Sequence, residues 1–114
     1  MMTATLPAGF DELEPFVAKW AGETTAARMN TRCESDMADI QAFYNAMIVR
    51  ADDAITLIDT YTLDALPADV GTLCRLVLAL AQASIAVEMH RQPNAPDAPY
   101  PNSIKLMRGT APFG

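Results

Sequence analysis

Between Gly22 and Pro67 the chain contains neither glycine nor proline, the two residues that most readily interrupt a helix. Glycine does so through its backbone entropy and proline through its missing amide hydrogen. Within that stretch Cys33, Met37, Ile40, Tyr44, Met47, Ala51, Ala54, Ile58 and Tyr61 recur at alternating spacings of four and three. This apolar heptad seam predicts one long helix from about Thr25 to Tyr61. Phe43, Ile48 and Ile55 widen the stripe, which favours packing in a globular bundle over a narrow coiled-coil seam.

Upstream, Phe10, Leu13, Phe16, Val17, Trp20 and Ala21 share one helical face, and Asp11 with Glu14 has the spacing of an acidic capping box. A short first helix over about Asp11 to Ala21 is expected, with Pro15 moving its regular start towards Glu14. Downstream, Thr62 to Leu66 reads as a connector and Pro67 as the first residue of a helix running to about His90. Apolar residues cover almost the whole circumference of that last helix, leaving a strip of Thr72, Arg75, Ala79, Gln82 and Ala86. It should be the central, most buried helix. From Gln92 onward, Pro93, Pro96, Pro99, Pro101 and Pro112 exclude helix, while Tyr100, Ile104, Leu106, Met107 and Phe113 can anchor an extended arm.

The fold class that follows is all-α: a small helical bundle built on a long antiparallel helix hairpin, with a short N-terminal helix and an extended proline-rich C-terminal arm. A single domain is expected, with a flexible start over 1–9, a helical body over 10–91 and the arm over 92–114. In such a hairpin Arg75 lies level with Asp52 and Asp53, and a guanidinium on so apolar a helix calls for a carboxylate, so a structural ion pair is expected. The long helix would also outrun its partner over Thr25 to Asp36, by roughly 18 Å at about 1.5 Å per residue. Either it breaks near Thr31 to Ser35 or something covers it, and a second copy in a homodimer is the commonest cover.

Composition supports association. The chain is 51% apolar and only 19% charged, at or slightly beyond the apolar end of ordinary globular proteins, which leaves apolar surface for a partner or ligand. Its net charge of −6 repels phosphate backbones and anionic lipid, so neither nucleic acid nor membrane is an expected partner. The most apolar segment, Leu73 to Val87, falls short of the roughly 20 residues that a membrane-spanning helix needs. With no secretory leader at Met1 to Phe10, the cytoplasm is the expected compartment.

No phosphate loop, dinucleotide fingerprint, nucleophile elbow or metalloprotease motif is present. Cys33 and Cys74 lack metal-ligand spacing and read as core residues, so no metal, cofactor or catalytic residue is assigned. His90, the sole histidine, suits the last turn of a helix, where the dipole favours it, better than a general base beside Glu88. Arg28 and Arg32 stand one turn apart and could clamp an anion. An ordinary surface pairing of Arg32 with Asp36 is the simpler reading. The expected function is a non-catalytic interaction or accessory subunit. The alternative is a binder of a small anionic or aromatic molecule at the overhang end, using Arg28, Arg32, His90, Trp20 and Tyr44. An enzyme using His90 comes third.

Overall fold

A computed structural model describes residues 5–90, apart from the side chains of Met89 and His90. The proline-rich arm expected over 92–114 lies outside the described residues. Those residues form an all-helical, compact body with no strand among them.

A 3₁₀ segment, Asp11–Phe16, leads into a single α-turn, α1 (Val17–Trp20). Then follow α2 (Thr25–Glu34), α3 (Met37–Ile48), α4 (Ala51–Ile58), a 3₁₀ turn (Leu63–Ala65) and α5 (Ala68–Ser84). The last helix continues through a π-helical stretch, Ile85–His90, which reaches the last described residue. Pro67 stands one position earlier than expected, as the residue capping α5.

The expected single helix from Thr25 to Tyr61 is therefore corrected to three. A straight helix of that span would reach roughly 55 Å, whereas the longest dimension of the molecule is 41 Å. The first break falls where Ser35 and Asp36 adopt extended backbone, with ψ of 152° and 165°. The Asp36 carboxylate accepts from the Asp39 amide at 2.8 Å and caps α3, which supplies the start signal that a helix needs. The Ser35 hydroxyl turns back to the Thr31 carbonyl. The second break, at Val49 and Arg50, lies in a tight turn closed by the Arg50 amide on the Met47 carbonyl at 3.0 Å.

These breaks turn α2 back against α5, so the expected overhang does not exist. Arg32 Nη1 donates to Gln82 Oε1 at 3.1 Å across that contact. All of α1, α2, α3 and α4 pack on α5. The strip of Thr72, Ala79 and Ala86, which an apolar helix would leave to solvent, is buried. Its small side chains are what allow the backbones of α1 and α2 to approach. Leu13, Ile40, Phe43, Met47, Leu73 and Leu76 form the fully buried centre.

The N-terminal segment is also anchored. Glu14 does not close a capping box on Asp11; its carboxylate accepts from the Thr5 hydroxyl at 2.7 Å and from the Leu6 amide at 2.8 Å. The Thr5 hydroxyl contact, with the Leu6 and Thr5 amides, holds its pKa below the ordinary carboxylate value. Leu6 is buried against the core, within the stretch 1–9 that precedes the helical body.

If the strip on α5 is an internal contact, enlarging it must overpack the seam. Ala79→Leu is expected to lower unfolding stability by about 1–3 kcal/mol in urea denaturation. An unchanged stability would mean that Ala79 faces water.

Candidate functional site

The arginines singled out from sequence are structural groups in this fold. Arg28 is 3% exposed and Arg32 6%. Thr24 caps α2 by accepting from the Ala27 amide at 3.1 Å, and this turn places Arg28 under the loop that precedes it. There Nη1 donates to the Gly22 carbonyl at 2.8 Å and Nη2 to the Thr25 hydroxyl at 3.2 Å. Gly22 is needed for this closeness, because a Cβ at that position would lie 2.9 Å from the Ala27 Cβ. Burial, and then the neighbouring Arg75 charge, lower the Arg28 pKa.

The Arg32–Asp36 surface pair is likewise corrected. Arg32 reaches Gln82 while Asp36 is occupied as a cap, since the break at Ser35 removes the helical spacing that would have joined them. The Nε of Arg32 is buried and has no acceptor.

Arg75 does not meet Asp52 or Asp53. Its Nε donates to the Ala21 carbonyl at 3.2 Å and its Nη2 lies 3.4 Å from the Thr72 hydroxyl, because its side of α5 faces the end of α1 rather than α4. Asp53 pairs with Arg50 at 3.2 Å, and Asp52 is exposed. Unsatisfied main-chain carbonyls at helix ends thus replace the carboxylate that sequence reasoning expected.

Trp20 is buried, with its ring stacked on Phe43 at 4.4 Å and 5°. It borders a shallow depression with Pro15, Phe16, Lys19, Asp39 and Ala42. This depression has a volume of about 170 Å³, below the roughly 300 Å³ at which ligand pockets begin. Tyr44 donates its hydroxyl to Glu88 Oε2 at 3.0 Å, and that bond raises the Tyr44 pKa. The side chain of His90 lies outside the described residues. Trp20, Arg28, Arg32 and Tyr44 are therefore distributed over separate contacts rather than gathered around one cleft.

Neither Cys33 nor Cys74 is in a disulfide, and burial pushes the Cys74 thiol up, as suits a packing residue. Among the described residues no group of three or more His, Cys, Asp or Glu side chains could hold a metal ion. One helix among them, Ala68–Glu88, is long and apolar enough to cross a membrane, and half of that span is buried inside the molecule. It is longer than the segment Leu73 to Val87 read from sequence chiefly because it takes in the first residues of α5, Ala68 to Thr72.

What sequence reasoning missed is a series of exposed apolar residues from the end of α3, through α4, to the 3₁₀ turn that follows it. Ile48, Val49, Ile55, Tyr61 and Leu63 are exposed, Val49 to 75%. Ile48 and Ile55 had seemed to widen the core stripe, and Tyr61 to end it. The buried positions are instead Ile40, Phe43, Met47, Ala54 and Ile58. A stripe wider than one core can use was the available signal of a second apolar face.

Arg50 was also missed. It fixes the bend beside this face: Nη2 donates to the Gly9 carbonyl at 3.0 Å, Nη1 pairs with Glu12, and the guanidinium lies 4.6 Å from the Phe10 ring centre. Gly9 accommodates this with a φ of 96°. Comparisons with known protein families, curated proteins and solved structures find no match.

A structural role for Arg28 carries a clear expectation. Arg28→Met keeps the apolar stem but strands the Gly22 carbonyl, and should cost about 1–3 kcal/mol of stability in thermal or urea melts. Unchanged stability would return Arg28 to the list of ligand-binding candidates.

Proposed function

We propose that this chain is a non-catalytic helical interaction or accessory subunit that works in the cytoplasm bound to another protein chain. The observation that carries this reading is the set of large apolar side chains left exposed from Ile48 to Leu63 after the core is complete. Large exposed apolar groups that cluster along one stretch of chain are characteristic of surfaces that a partner covers. The reading also uses the apolar composition, which lies at or slightly beyond the upper end for ordinary globular domains. Behind these residues α3 and α4 pack on α5, with the Tyr44–Glu88 bond joining α3 to the π-helical stretch that follows α5. A homodimer is one form of such an assembly and a complex with a different chain is the other.

The second reading, a binder of a small anion, has one observation in its favour, the buried Nε of Arg32 without an acceptor. Against it stand the burial of Arg28 and Arg32 and their engagement by groups of the same chain.

Native mass spectrometry of the full chain purified from its own cells separates these readings. The subunit reading expects a multi-chain assembly without a retained small molecule, reduced to the monomer by Val49→Asp with Ile55→Asp while circular dichroism stays unchanged. A monomer carrying a stoichiometric small acid would overturn it in favour of the anion binder.

A further inference from the structure

The composition of the chain around the exposed apolar face narrows the kind of partner it suits. From Ala51 to Cys74 there are five aspartates, Asp52, Asp53, Asp59, Asp64 and Asp69, and no lysine or arginine. All five are exposed. On α4, Ala54 and Ile58 are buried, while Ile55, about a quarter-turn round the helix from them, is exposed and has Asp52 three residues before it and Asp59 four residues after it. At that spacing on a helix these carboxylates flank the isoleucine directly. The cation nearest in sequence, Arg50, is directed away to Gly9, Glu12 and Phe10, with only Asp53 of the five engaged by it.

Resting on the reading of this face as an interface, we infer that its occupant is a basic amphipathic segment of a partner protein. Its apolar side covers Val49 and Ile55, and its lysines or arginines meet Asp52 and Asp59. A second copy of the chain docked through the same face would set this rim against itself about a two-fold axis, Asp against Asp, with no basic group among residues 51–74 to intervene. Phosphate-bearing polymers and anionic lipid are repelled by the same rim. A cationic segment is steered towards it, and the contact should weaken as salt shortens the range of the attraction.

The test uses the full chain and two labelled probes about 18 residues long with leucines at helical spacing, one filled with lysine and the other with glutamate. Fluorescence anisotropy is read for the natural chain, for Ile55→Ser and for Asp52→Asn with Asp59→Asn, each checked for fold by circular dichroism. The Lys/Leu probe should bind and the Glu/Leu probe should not. Ile55→Ser should weaken binding about tenfold, and the double asparagine variant should weaken it about three- to tenfold while flattening its salt dependence.

Binding of the Lys/Leu probe that neither variant changes would overturn the assignment, since attraction to negative charge elsewhere would then account for it. Equal binding of both probes, lost in Ile55→Ser, would overturn the basic partner while leaving the interface reading intact. So would a homodimer that Ile55→Ser dissociates. No binding of either probe by a chain that is monomeric in its purified native state would overturn both.

Discussion

Every other helix of the body is placed by the need to cover α5. A helix that is apolar almost all round cannot be satisfied by one neighbour, because a single packed helix shields only one side of it. The segment before it is long enough to supply the missing cover only if it does not stay straight. Breaks at Ser35–Asp36 and Val49–Arg50 let α2, α3 and α4 reach α5 separately, with α1 completing the enclosure. The small residues Thr72, Ala79 and Ala86 belong to this arrangement as contact positions and not as a solvent strip.

The polar groups inside the body serve the breaks. Where a helix ends, carbonyls are left without amide partners, and arginines take two of them, Arg28 on Gly22 and Arg75 on Ala21, while Arg50 takes the Gly9 carbonyl in the turn before the first 3₁₀ segment. Guanidinium is suited to this because its planar donors can bind several acceptors at once and its stem packs against apolar neighbours. An arginine so used is not available to a ligand. That is why the residues with the most evident binding chemistry in the sequence belong to the scaffold, while the exposed face of α3 and α4 is built from ordinary isoleucine, valine and aspartate.

The all-helical class and the central position of the last helix were legible from periodicity and from the positions of proline. The break at Ser35–Asp36 was legible in part, since a serine and an aspartate with Asp39 three residues later make a cap, though the surrounding heptad pattern runs through it without interruption. The break at Val49–Arg50 carries no glycine or proline, and it is held by contacts to Gly9, Phe10 and Glu12 about forty positions away. No local pattern encodes such a bend. The partner of Arg75 was misjudged for a related reason: the rule that a buried cation needs a carboxylate overlooks a main-chain carbonyl, which appears in no sequence motif. Ile48 and Ile55 show the limit of periodicity itself, because an outward apolar residue beside a core stripe looks like part of that stripe.

If α5 is the element on which the rest is assembled, its amides should be the last to open. Native-state hydrogen exchange measured across low urea concentrations tests this directly. The amides from Leu73 to Ala83 should exchange only through global unfolding, with the full stability and the full urea dependence, while α2 and α4 open earlier. Exchange of those α5 amides through a smaller, urea-independent opening, with α3 or α4 remaining protected, would contradict the central place given to this helix.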